Sequence, residues 1–600
     1  MDMGKVLIEI KGADETRQVS SFKYDGAYTI IKFTSGGSYR YSSSNVRIYK
    51  KPQQFSTKEY AVIENKVQLS GVSKILKFGP YIRVFFNNEY IKTYNEGHVS
   101  IEKSSLCDKR ALNSFEYLKD IARTVGLYSD EGENILEKRY KKIGYVSENS
   151  VLDMYLKGQL KEKSSNYKGT AIYPFGFNKS QKQAVSHALN NDLSVIQGPP
   201  GTGKTQTILN ILANAVINGE SVAVVSGNNS ATENVKKKLE DYELDFIAAS
   251  LGNRNNKEIF IQSQNQKLPD MASWKLQEEQ RINTKTKLAE MDIVLDKMLD
   301  EKNSRSISQQ QLESIKLEYR HFSKYYAGLN IKDELESYIK ITKSSSAMRI
   351  WTDMEVRGSS RTPLYIKLMN IFKYGWVSRR FYKIPAEQRI ALCQNRYYSL
   401  KIKELESVIK GLSDSLNKYD FKSNMALYTE LSMKLFKNKL YEMYSNVKER
   451  KKYSLDDLWM DPLGFIKDYP VILSTTYSLT TSLSSGMQYD YVIVDESSQV
   501  DVATGALALS CARKAVIVGD LMQLPNVVDG KQKKDTDKVF IKYAEACKLK
   551  EAYRYSTHSL LKSVLELFPD VPQTLLKEHY RCNPKIINFC NQKFYNCCCQ

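Results

Sequence analysis

Leu193-Ser194-Val195-Ile196-Gln197-Gly198-Pro199-Pro200-Gly201-Thr202-Gly203-Lys204-Thr205-Gln206-Thr207-Ile208-Leu209 joins three kinds of sequence in one line. An apolar run of strand type ends at Gln197, a glycine-rich turn follows, and a helix-forming segment opens at Gln206. Gly198 to Thr205 satisfies G-x-x-x-x-G-K-[ST] in the strand–turn–helix context which that pattern requires. Glycines at these positions let the backbone curl so that several N–H groups aim at one chain of phosphates, and the helix N-terminus adds partial positive charge. The turn Gly198, Pro199, Pro200, Gly201, Thr202 and Gly203 is therefore the expected cradle for ATP. Lys204 is expected to reach the β- and γ-phosphates, and the Thr205 hydroxyl to hold Mg²⁺.

Similar apolar runs recur further along the chain: Ser221-Val222-Ala223-Val224-Val225, Tyr491-Val492-Ile493-Val494 and Ala515-Val516-Ile517-Val518. Continuous apolar strands alternating with helices predict a parallel α/β sheet covered on both faces, assembled from residues 171–255 and 465–570. Between these halves, residues 256–464 form a long insertion. Its beginning carries Leu288, Met291, Leu295 and Met298, and its return carries Leu405, Val408, Leu412 and Leu416, at spacings of three and four. Two helical arms that leave and re-enter one sheet run antiparallel and make a stalk; the alternative is that they pack on the globular body. Residues 1–104 alternate apolar and polar positions and read as β-rich modules, as in Tyr28–Phe33 and Ile82–Phe86. Residues 105–170 shift to helical spacing (Leu112, Phe115, Leu118, Ile121) and read as a helical linker region.

Hydrolysis needs a second metal ligand and a group that orients water, both from a neighbouring strand end. Asp495-Glu496, directly after Tyr491–Val494, supplies them. Asp495 is expected to bind Mg²⁺ through water and Glu496 to polarise the attacking water. Taken alone, an acidic pair at a strand end is also a helix N-cap.

With these residues in view, residues 175 to 595 resemble the superfamily 1 helicases of the senataxin-like and nonsense-mediated-decay-helicase-like branch, RecA-like P-loop ATPases. Phe177-Asn178-Lys179-Ser180-Gln181 is similar to the family's adenine-reading motif, with Gln181 at the position that reads the base edge. Asn228-Asn229-Ser230-Ala231 and Ser474-Thr475-Thr476 resemble two motifs that touch the nucleic-acid backbone, although Asn228 stands where Ser is usual. Asp495-Glu496-Ser497-Ser498-Gln499 is close to the family's acidic motif. In Gly519-Asp520-Leu521-Met522-Gln523-Leu524-Pro525 the resemblance makes Gln523 the γ-phosphate sensor. His579-Tyr580-Arg581-Cys582-Asn583-Pro584 resembles the opening of a second RecA-like domain (571–600), with Arg581 contacting the nucleotide. The remaining second-domain motifs do not occur before Gln600, about 20 residues after Arg581, so the ATP site is expected to be half built. The resemblance implies an ATP-dependent motor on single-stranded DNA or RNA with 5′-to-3′ polarity. The rival is a regulatory ATP-binding module without unwinding activity. Truncation, an interrupted reading frame, a partner-supplied second half or a metal-binding Cys597-Cys598-Cys599 cluster are the readings of the chain end.

Composition limits what else the chain does. Its 600 residues call for several domains. Lys+Arg 88 against Asp+Glu 68 leaves a net charge of +20, which favours a polyanion such as nucleic acid, with genome-driven Lys bias as the bland alternative. No apolar run long enough to span a bilayer occurs, the start lacks a secretory signal, and nine cysteines show no disulfide or zinc spacing, so a cytoplasmic protein is expected. Within 341–400, eleven Lys/Arg stand against three acidic residues, interleaved with Tyr365, Phe372, Tyr374, Trp376, Phe381 and Tyr382. Arg379, Arg380 and Lys383 lead the candidates for a strand-binding tip at the far end of the stalk. An insertion core or an acidic-lipid contact fits the same composition. The insertion and the N-terminal β modules are the candidate surfaces for a protein partner.

Overall fold

The structure, a computed structural model, describes residues 1–65, 67–128, 132–161, 167, 169–357, 363–365, 368, 376–377, 380–484, 486–579, 589 and 593–595. It divides into two compact units, Met1–Gln277 with the segment from Met433 onward, and Glu278–Ser432.

In the first unit, residues 1–104 form two small β modules. Ile8, Ile10, Val19, Ile31 and Val46 fill one core, and Val62, Ile75, Ile82, Val84, Tyr94 and Val99 the other. Arg83 joins them. It is wholly buried, pairs with Asp14 at 2.6 Å and donates to the carbonyls of Met3 and Val6 at 2.7 and 2.8 Å. Nothing in the alternating pattern marks a basic residue as the centre of a joint.

Residues 105–158 are more than a linker. Helix α1 (Lys109–Val125) buries Phe115, Leu118 and Ile121, while Leu112 stays exposed. Tyrosines on this segment reach into the sheet-covering layer: Tyr117 donates to the Tyr553 carbonyl and Tyr140 to that of Ala503. The segment therefore belongs to the same core as the sheet.

That sheet has seven strands, all parallel: β1 (Leu193–Gln197), β2 (Val222–Ser226), β3 (Ala248–Ser250), β4 (Val471–Thr475), β5 (Tyr489–Asp495), β6 (Ala512–Gly519) and β7 (Gln573–Leu575). The order across it is β3-β4-β2-β5-β6-β1-β7. Strands covered on both faces need no polar alternation, and β2, β4 and β5 are buried at every position. Helices α2 (Lys179–Asn190), α3 (Lys204–Ile217) and α4 (Asn229–Glu240) precede or follow β1 and β2.

The second unit is shorter than the 256–464 read from the sequence. Phe260 packs on Phe465 and Tyr469, and the Leu276 N–H donates to Asn438, so both flanks of the insertion stay with the first unit. Within the second unit, α5 (Glu278–Gly328) runs antiparallel to α6 (Ala386–Lys418): Lys316 pairs with Glu406, Tyr319 with Asn395 and Tyr325 with Glu387. The return arm breaks at Asp420, whose φ is 50°, and continues as α7 (Phe421–Tyr444). Tyr428 of α7 meets Asp292 at 3.1 Å, so the early, Met-rich part of α5 faces α7. Leu405 and Leu416 are buried, but Val408 is half exposed and off the seam. The segment between the arms builds a core from Ile339, Ile341, Ile350 and Phe381 together with Leu392 of α6, with Trp351 and Tyr382 packed against it.

Candidate functional site

The turn after β1 is shaped by its glycines. Gly201 and Gly203 have φ of 89° and 85°, a left-handed backbone that only glycine adopts cheaply. A Cβ on Gly203 would collide with the Gln181 amide, so the turn has room for nothing larger. Gly203 ends in the N-cap position of α3, and no side chain caps that first turn. Its amides and its dipole are directed at whatever sits over the turn.

Lys204 folds back across the loop. Its Nζ is 3.0 Å from the Gly198 carbonyl and 3.8 Å from Glu496 Oε1, with 9% of the side chain exposed. Residues almost three hundred positions apart thus meet because β1, β6 and β5 are neighbours and all end on the same side. Asp495 is the last residue of β5 and is buried; Glu496, at φ 49°, turns the chain away and donates its N–H to Asp495 Oδ1 at 2.9 Å. Burial, then the adjacent Glu496 carboxylate, push the Asp495 carboxyl up to about 6, while Lys204 opposes the rise. Thr205, half-buried, stands in the first turn of α3.

Around this pair lie buried polar atoms without partners. Glu496 Oε2, Ser498 Oγ, Ser226 Oγ and Thr475 Oγ1 make no hydrogen bond. Ser226 is in register with both Thr475 and Asp495, so three polar side chains sit in one row at the carboxyl ends of β4, β2 and β5. Orphaned oxygens in a packed interior are costly unless a ligand or water completes them. A hydroxyl and a carboxylate are hard oxygen donors of the kind Mg²⁺ takes, the rest of its shell coming from water and phosphate. Thr205 and Asp495 therefore fit that ion. Among the described residues, no cluster of three or more His, Cys, Asp or Glu is placed to hold a metal by itself.

Other candidates have different surroundings. Gln523 is partly exposed in the loop after β6, its N–H donating to the Asp520 carbonyl. Gln181 is fully buried and already engaged: it completes a capping box with Asn178 and its amide donates to Gln206 at 3.0 Å. In this form it braces the phosphate loop. Asn228 and Asn229 are exposed at the end of β2, beside a cleft of about 850 Å³ between α4 and residues 256–274. Thr475 and Thr476, expected at a strand-contacting surface, are buried at 2% and 1% exposure because they end a central strand. Arg380 and Lys383 are exposed, but Phe381 between them is fully buried, so this part of the aromatic segment is insertion core. Arg379 and Arg581, with Phe372, Tyr374 and the chain end, lie outside the described residues.

Three contacts that hold the segment before α2 onto α3 went unread in the sequence. Gln206 donates to the Phe175 carbonyl, Asn210 holds both Phe175 N and Gly176 O, and Asn214 does the same for Ile172. Their signal was present: polar amides every fourth residue on an otherwise apolar helix. His579 Nε2 also lies 2.6 Å from the Pro200 carbonyl.

A sequence profile described as an AAA domain matches residues 176–531, well over half of the chain. The chain belongs to this family. An ATP-dependent helicase of Methanocaldococcus jannaschii is 22% identical over 428 residues, covering 71% of this chain and 45% of that protein. DNA-binding protein SMUBP-2 of Rattus norvegicus is 35% identical over 91 residues, 15% of this chain and 9% of its own. ATP-dependent helicase NAM7 of Saccharomyces cerevisiae is 39% identical over 85 residues, 14% and 9% respectively. The chain thus spans less than half the length of these relatives. Within the AAA-domain family, it falls among the superfamily 1 helicases of the senataxin-like and nonsense-mediated-decay-helicase-like branch.

Proposed function

We propose that this chain is the ATP-hydrolysing core of a motor that moves on single-stranded nucleic acid with 5′-to-3′ polarity. The observation that carries the reading is the convergence of Lys204, Asp495 and Glu496 over an uncapped helix N-terminus. The first-turn amides of α3 and the Lys204 ammonium bind and neutralise the phosphate chain. Thr205 and Asp495 hold Mg²⁺, which when bound supplies charge neutralisation on the phosphate oxygens. Glu496 Oε2, buried and unbonded, accepts the proton of the attacking water. Gln181 and Gln206 keep the loop rigid, so little is reorganised when the nucleotide arrives. Asn228 and Asn229, exposed at the end of β2 with the +20 charge of the chain behind them, support a nucleic-acid path across the sheet end.

The test is steady-state ATP turnover with and without single-stranded DNA and, separately, RNA. A motor core is stimulated several-fold by one or both strands, and the preferred strand names the substrate. Turnover indifferent to both overturns the motor reading and leaves an ATPase without a nucleic-acid track.

A further inference from the structure

At the opposite end of the sheet lies a smaller cavity. It is lined by Gly486 and Met487, which precede β5, and by Ser510 and Cys511, which precede β6. Seven residues of β5, roughly 20 Å of strand, separate it from Asp495. Its volume is about 80 Å³. That is more than twice the ~30 Å³ of one water, and far below the ~300 Å³ at which sites for whole small molecules begin.

The wall chemistry is one-sided. Arg139 and Lys142, from the helix Ile135–Lys142, line the cavity with Thr480, Thr481 and Ser484, and among the described residues no Asp or Glu does. Lys257, from Arg254–Ser263, backs it by donating to the Thr481 carbonyl. On the same helix as Arg139, Lys138 and Lys141 pair with Glu133 and Glu137. Among the described residues, Arg139, Lys142 and Lys257 have no such carboxylate. Arg139 Nε and Thr480 Oγ1 are buried without a hydrogen-bond partner. Burial, then the Arg139 charge, push the Lys257 ammonium down to about 8, and burial also lowers Arg139. Arg139 and Lys257 are half-buried, like-charged and without a counter-charge, which is costly unless an anion joins them, while Lys142 is exposed to solvent.

We propose that this cavity, walled by Arg139, Lys142, Thr480 and Ser484 and backed by Lys257, binds a single phosphate group, as free phosphate or as the end of a small phosphate ester. Guanidinium, ammonium and hydroxyl donors without a carboxylate are the donor set of a tetrahedral oxyanion. The volume admits the phosphate and leaves a nucleoside outside. Lying at the amino ends of the strands, the site is separate from the nucleotide turn and independent of the motor reading.

Inorganic phosphate is titrated at constant ionic strength, with KCl as the balance, and read by thermal unfolding and by the emission of Trp459, which lines the cavity. The wild type, Lys204→Ala and the double variant Lys257→Met/Arg139→Gln are compared. In Lys204→Ala, where the nucleotide turn is disabled, the midpoint rises by about 2 °C at roughly five times the dissociation constant. The double variant loses that rise; if it does not fold, Lys142→Gln carries the same comparison. Phenyl phosphate separates the sources: a matching rise assigns an ester end, and no rise assigns the free ion. No phosphate-specific rise in Lys204→Ala, an equal rise in the cavity variants, or a response through these residues to oligothymidylate alone overturns the proposal.

Discussion

Replacing Lys204 by Ala tests the nucleotide site at its most constrained atom. In the structure the ammonium is already positioned, 3.0 Å from the Gly198 carbonyl and 3.8 Å from Glu496, so binding requires it to exchange one carbonyl for phosphate oxygens. A hydrogen bond to a charged group is worth about 1.5–3 kcal/mol, and the ammonium–carbonyl bond surrendered is of that same kind. With two phosphate contacts replacing it the net loss is one such bond, about 1.5–3 kcal/mol, or roughly ten- to hundredfold in dissociation constant. A fluorescent ATP analogue titrated against wild type and variant measures it, with circular dichroism confirming that the fold persists. Glu496→Gln is the necessary contrast. It spares Asp495, removes a negative neighbour that raises the Asp495 carboxyl, and so retains or tightens Mg·ATP while turnover falls about 10²–10⁴-fold. Affinity within twofold of wild type in Lys204→Ala, with normal turnover, refutes the assignment of the turn. Loss of affinity in Glu496→Gln exchanges the roles given to the two carboxylates.

Three further outcomes follow from packing and charge. Arg83→Met strands Asp14 at the joint between the β modules, a loss of about 3–5 kcal/mol for a buried pair, so amide exchange in residues 1–104 accelerates while that of β5 does not; unchanged protection there refutes the joint. Lys257 titrates near 8 in the folded chain against its ordinary 10.5, with Arg139 the charged group facing it. The unfolded chain therefore binds more protons across that window, and stability rises with pH through it; Lys257→Met flattens this component of the denaturation profile, and an unchanged slope shows the ammonium is not desolvated. In the insertion, Phe381→Ala costs about 3–5 kcal/mol of stability, whereas Arg380→Ala/Lys383→Ala leaves stability alone and shallows the salt dependence of single-strand binding; an unchanged salt slope removes those two cations from the strand path.

Where chemistry is carried by neighbours in the chain, reading is direct. Gly198 to Thr205 must curl, and a strand before it and a helix after it are written in the flanking residues, so the parallel sheet and its nucleotide turn follow from local sequence. The same holds for Asp495-Glu496 at the end of an apolar run. The insertion was legible as paired helices because spacing of three and four persists over many turns, yet the break at Asp420 and the exposure of Val408 were not, since periodicity states a face without stating its partner. Composition alone left the aromatic segment open, and burial of Phe381 resolved it at that position.

The sequence by itself therefore determined the fold class, the phosphate-binding turn and the acidic pair, because each is a short-range pattern whose backbone geometry and residue types are coupled within a few positions. Only the tertiary structure decided that Lys204 meets Glu496 across β6, that Gln181 braces the loop through Gln206, that Thr475 and Thr476 are buried, that Arg83 joins the β modules beside an apolar seam of Leu7, Leu76 and Phe78, and that Arg139 and Lys257 crowd together without a counter-charge. These are meetings between residues far apart in the chain, and which of them occur depends on strand order and helix docking, properties that the packing of the whole chain settles and no local pattern encodes.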